Sequence, residues 1–264
     1  MSAATPPGLT ATIAGIGFWT DGLPDWATAR AFAVDGTRPE AAPARPSPQL
    51  LAPNERRRAP GSVAVALEVA LAACRDAGIA PETLPSVFAS THGDLGITDY
   101  MCETLATDPT AISPTRFHNS VHNAAAGYWT IGTGCTEATT ALSAFDATFA
   151  QGLLEALIQL AAGAPAVLLV AYDTASTGLL GTVTRSEGLL GGALVLVRDG
   201  AGPRLTASLR DGVELEPPGA LQAHASTNAM VQMLPLFDAL ASGAARASLR
   251  AGPHRVLSLE LTHD

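Results

Sequence analysis

The sequence predicts a layered α/β fold with helices covering both faces of a largely parallel sheet, and three observations predict it. Continuous apolar and β-branched runs recur along the 264 residues between glycine, proline and polar breaks, as strands buried on both faces require. Stretches with apolar residues at helical spacing alternate with them, the order that builds helices against a sheet. Hydrophobic residues make up 47% of the chain, ample for a sizeable core. No repeat, heptad or low-complexity tract interrupts the pattern and no linker divides it, so residues 1–264 read as one domain.

Residues 9–18 form the first buried strand. Residues 20–53, with Pro43, Pro46, Pro48 and Pro53, read as a long surface excursion, because proline stops regular structure from propagating. Over 62–77, Val63, Ala66, Leu67, Ala70, Leu71 and Cys74 share a helix face and Gly78 supplies the stop, so Cys74 is core packing. Residues 84–89 are the next strand, and the loop 90–94 lies at its carboxyl end, where ligands collect in open α/β sheets. His92 in that loop reads as a local hydrogen-bonding partner of Asp94 ahead of an acid or base. A helix over 97–105 carries Cys102 as a structural thiol one turn beyond Thr98. Residues 136–162, apolar through both faces, predict one buried helix. Strands follow over 165–172, 191–198 and 203–210, then a helix over 228–241 and a last strand over 255–261.

Charge and composition exclude several classes. A net charge of −9 with 15 Lys and Arg offers no nucleic-acid surface, so partners are protein or small molecule. Arg56-Arg57-Arg58 is the one dense basic cluster and reads as a solvated helix start ahead of a docking patch. Three cysteines without CxxC spacing suggest neither disulfides nor zinc, and fit the reduced thiols of a cytoplasmic protein. The N-terminus lacks the basic and apolar regions of a secretory signal. Residues 153–170 are broken by Glu155, Gln159 and Pro165, so no membrane span is expected.

The most informative stretch is Asn119 to Cys135. Its end, Ile131-Gly132-Thr133-Gly134-Cys135, reads as a short strand, a glycine turn and a cysteine at the mouth of the helix over 136–162, where an electropositive N-terminus favours a thiolate. Cys135 is therefore the candidate nucleophile; a small buried hydrophobe at a tight turn is the alternative. His118 and His122, four apart with no third ligand, read as structural hydrogen bonding rather than a metal site.

These residues carry a resemblance. Ile131 to Glu137 resembles the nucleophile turn of β-ketoacyl synthases, with Ile112-Ser113-Pro114 and the run 123–127 upstream and the glycine-rich strand 188–197 downstream in matching order. The phrases 113–129 and Gly152-Leu153-Leu154-Glu155-Ala156 are similar to the short ketosynthase-like subunits called chain-length factors, of aryl-polyene-type pathways. The resemblance implies a thiolase-like layered α/β/α fold, truncated relative to a full ketosynthase: residues 1–200 as the N-terminal half and 201–264 as a shortened second half. It implies a heterodimer with a full-length ketosynthase, an acyl carrier protein as further partner, and neither cofactor nor metal.

Condensation needs more than a thiolate; polar groups must activate the malonyl carboxylate and hold an enolate oxygen. Ketosynthases use two histidines of the second half, and neither His224, His254 nor His263 has that context. The expected function is a catalytically silent subunit that pairs with a complete ketosynthase and shapes the acyl pocket. By the resemblance, the strand before the nucleophile turn runs against its counterpart across the interface, assigning Tyr128, Trp129, Thr130, Ile131, Gly132 and Thr133 to it. Met101, Phe117 and Trp129 are the candidates for lining the acyl chain. Two other functions stay open: a minimal acyltransferase using Cys135 with His92 or His122, and a non-enzymatic acyl-binding protein.

Overall fold

The computed structural model describes residues 8–263. Its strands are β1 (Leu9–Thr20), β2 (Ser86–Ala89), β3 (Thr139–Leu142), β4 (Ala166–Asp173), β5 (Leu190–Val197), β6 (Arg204–Asp211), β7 (Arg246–Gly252) and β8 (Arg255–Thr262). Its helices are α1 (Trp26–Asp35), α2 (Pro53–Arg58), α3 (Gly61–Ala77), α4 (Leu95–Thr107), α5 (Pro114–Asn119), α6 (Ala124–Thr133), α7 (Thr148–Ala161), α8 (Ala220–His224) and α9 (Leu234–Ser242). The strands form one sheet in the order β3-β2-β4-β5-β1-β6-β8-β7.

The layered α/β architecture is present, and its centre shows how the sequence builds it. β4 is buried along its whole length. Its side chains alternate: Val167, Leu169 and Ala171 join the core with Phe149, Leu153 and Leu157 of α7, while Leu168, Val170 and Tyr172 join the core with α3 and Trp129 of α6. Helix α7 is also held from the far side, where Gln151 donates to the Ala251 carbonyl of β7 at 2.9 Å. Helix α3 lies against β1 because Gly15 and Gly17 present bare backbone to its Val69–Ala73–Ala77 face.

The sheet is mixed rather than largely parallel. β2 runs parallel to β3 and β4, each reached through a helical crossover, whereas the pairings of β1 with β5 and β6, of β4 with β5, and of β8 with β6 and β7 are antiparallel. No α-helix lies between β4 and β5, nor between β7 and β8, and without a crossover these neighbours reverse direction; β5 and β6 run the same way because β1, antiparallel to both, lies between them.

Other expectations are corrected. The excursion 20–53 contains α1, opened by a capping box between Asp25 and Thr28 and closed by Gly36 in the left-handed conformation. Residues 136–162 are not one helix: the β-branched Thr139 and Thr140 extend into β3, and α7 starts only at Thr148. Residues 128–133, expected as a strand, belong to α6, which the alanine triplet 124–126 opens and whose buried Ala125, Ala126 and Trp129 have helical spacing. β7 was not expected at all. Cys74 is core as predicted, burial pushing its thiol up to about 12. Cys102 is exposed on α4 and is not a packing thiol. No described helix is long and apolar enough to cross a membrane.

Candidate functional site

The carboxyl ends of β2, β3 and β4 meet at one rim of the sheet, and a buried carboxylate organises it. Asp173, the last residue of β4, is fully buried. It accepts hydrogen bonds from the Ser90 hydroxyl (2.8 Å), the Thr91 amide (3.0 Å) and the His92 amide (3.2 Å). Burial raises its carboxyl above the usual range and the donors of the loop oppose that shift.

Three further segments tie to the same loop. His122 donates through Nε2 to the Ser90 carbonyl at 2.8 Å, Ser143 donates to the Thr91 carbonyl at 2.9 Å, and Thr184 shares a hydrogen bond with His92 Nε2. His92 bonds Thr184 through its ring, not Asp94, whose carboxylate caps α4 and accepts from Ser62. Asn228 closes the floor by donating to the carbonyls of Asp173 and Glu187.

A strand, a tight turn and the mouth of a buried helix do occur here, but not at Cys135. β3 leads through Ser143 and Ala144 into α7, and the apex is Phe145, with φ of 50° and its side chain mostly in solvent. A bulky residue in the left-handed region is a steric outlier. A cavity of about 300 Å³ begins at the next residue, Asp146, and is lined by Arg185, Glu187, Ala229, Val231 and Gln232 among others.

Cys135 sits elsewhere. It follows Gly134, the left-handed cap of α6, so a helix C-terminus with partial negative charge replaces the N-terminus expected there. Its thiol is buried against the Leu84 carbonyl at 3.5 Å, before the start of β2. His92 and His122 bind at the other end of that strand; the six residues from Leu84 to Ser90 span about 20 Å at the rise of a strand. The structure thus separates the sulfur from both imidazoles proposed to serve it.

The lining candidates also divide. Trp129 is 0% exposed and packed against Phe88 in the core. Met101 is half-buried on α4, and Phe117 stands exposed on α5. Of the interface candidates, Tyr128, Thr130 and Thr133 are half-buried helix residues and Ile131 and Gly132 are exposed. In the basic cluster Arg56 donates to the Leu51 carbonyl and Arg57 to Asn54, while Arg58 lines an open cavity of about 590 Å³ with Arg116.

Phe145 and Asp173 were missed by sequence reasoning. A left-handed phenylalanine has no sequence signature, although Asp173 at the end of an apolar strand was visible. Thiol labelling checks the cysteine assignments: iodoacetamide at pH 8 should modify Cys102 within minutes while Cys74 and Cys135 react only on unfolding. Fast labelling of Cys135 would refute its burial.

Comparisons with known proteins agree with this geometry. The structure is similar to a chain of a complex described as a ketosynthase (ApeO) with its chain length factor (ApeC) from Xenorhabdus doucetiae, with TM-score 0.75, 24% identity, 96% of this chain and 99% of that one covered. It is similar to a chain of AntDE:AntF, described as a type II PKS acyl-carrier protein in complex with its ketosynthase bound to the hexaketide (TM-score 0.71, 11% identity, 97% and 100% covered). Against a β-ketoacyl synthase from Burkholderia phymatum the TM-score is 0.60 at 14% identity, covering 90% of this chain and 71% of that one, so the thiolase-like fold is present in shorter form. No curated protein sequence matches. The profile described as the N-terminal domain of β-ketoacyl synthase matches residues 26–255, and with the strand–turn–helix rim in place the chain belongs to that family.

Proposed function

We propose that this chain is a chain-length-factor-type subunit: catalytically silent, paired with a full ketosynthase, and shaping the compartment for the growing acyl chain in polyketide or aryl-polyene synthesis. The observation that carries it is Phe145 at the apex between β3 and α7. A phenyl ring has no atom able to accept an acyl group, so the turn that resembles a nucleophile elbow holds no nucleophile.

The edge of the sheet supports pairing. Among the described residues β3 bonds only to β2, which leaves its outer edge open. None of its residues, Thr139-Thr140-Ala141-Leu142, is charged or proline, the devices that keep an edge from pairing. The strand expected to run against its counterpart is therefore β3, in place of the segment 128–133. Likeness to ketosynthase–chain-length-factor complexes favours a ketosynthase as the occupant, and Arg58 with Arg116 offers a basic opening to an acidic carrier protein. Residues 201–264 act in this proposal as the shortened second half, and the three free cysteines suit a cytoplasmic complex.

Co-expression with the cognate ketosynthase tests the proposal. The two chains should co-purify, Cys135→Ala in this chain should keep at least half of the turnover, and replacing the partner's nucleophile should abolish it. Turnover lost on Cys135→Ala, in a pair that still forms, would return the sulfur to the mechanism and sink the silent role.

A further inference from the structure

Phe145 combines two features that are each unfavourable in the isolated chain. Its backbone is left-handed at φ 50°, a conformation that a Cβ disfavours. Its side chain is 77% exposed, so the ring gains little from folding. A glycine would relax the backbone, and a polar residue would suit the solvent.

The apolar surroundings are built, not scattered. Segments ending at Val121, Phe145 and Val183 are anchored to the same loop 90–92 through His122, Ser143 and Thr184. Val121 is 49% and Val183 81% exposed. Asp173 thus holds, through one loop, three separate segments that each carry an exposed apolar residue, and Phe145 among them directly follows the open edge of β3. Continuity with that edge argues for a protein occupant, since a partner strand paired along β3 brings its own surface over these residues.

We propose that Phe145 is the anchor of the pairing surface and inserts into an apolar recess of the partner ketosynthase subunit. The inference rests on the pairing reading and names the side chain that fastens it. Anchors of this kind are aromatic, held rigidly, and dominate the affinity of the interface around them.

Phe145→Gly separates anchoring from a structural role, because it removes the ring and relaxes the backbone together. Measured by sedimentation with the purified ketosynthase, it should weaken the complex at least tenfold without lowering the melting temperature of the isolated chain. Leu209→Ala, a matched exposed apolar change on β6, should leave affinity unchanged. Wild-type affinity in Phe145→Gly overturns the proposal, as does a lowered melting temperature, which would make the ring structural. Intact pairing with altered product length overturns it too, by making the ring a wall of the acyl compartment. If the wild-type chain itself does not associate with the ketosynthase, the pairing reading fails, separately from the anchor.

Discussion

Asp173→Ala should destabilise the protein by about 3–5 kcal/mol, since an unpaired buried donor costs roughly 1–3 kcal/mol and the change strands three. Those donors are the buried Ser90 hydroxyl and the amides of half-buried Thr91 and His92, which is why the expected loss lies toward the lower end of three full penalties. The melting temperature should fall by roughly 10 °C or more at this chain length. Loss extends beyond stability, because the loop freed by the change holds His122, Ser143 and Thr184 in place. Hydrogen exchange at residues 90–93 should accelerate, and affinity for the ketosynthase should drop even below the melting transition. Asp173→Asn keeps one acceptor oxygen for Ser90 and His92 but turns an amide nitrogen toward the Thr91 amide, so its effect should be smaller yet measurable. A substitution to alanine that leaves melting and exchange at wild-type values would refute the organising role.

Gly17→Ala should cost about 3 kcal/mol, at the upper end for overpacking. A Cβ at Gly17 would overlap the Val69 carbonyl of α3, and one at Gly15 would overlap the Ala73 carbonyl. Both obstacles are helix backbone, which cannot rotate away as a side chain would. The helix must therefore move off the sheet, opening the core around Val69, Ala70 and Ala73. Urea unfolding measures the loss. Gly127→Ala on α6, where an added methyl meets no other atom, is the control and should not destabilise. Equal stability of Gly17→Ala and Gly127→Ala would show that α3 does not depend on the bare strand.

Much of the architecture was legible because periodicity survives in long elements. The all-apolar β4, the helical face of α3 with Gly78 as its stop, and the last strand all stand where the patterns place them. Short elements defeated the same signals. β3 has four residues flanked by small and polar ones, so it dissolved into an apparent helix with α7. In α6 the β-branched Thr130 and Ile131 suggested extension, yet the alanines before them and burial of Trp129 decided for a helix.

What the sequence determined by itself was the family: its phrases and strand pattern depend on local residue order, which a single chain displays in full. Only the tertiary structure decided the site. Which strand forms the sheet's open edge follows from pairings between residues far apart in the chain. Which residue occupies the strained apex follows from how β3 must turn to bury α7. Both are long-range constraints that leave no local trace, so a cysteine in a glycine-rich stretch looked reactive while the strand–turn–helix apex formed at a phenylalanine.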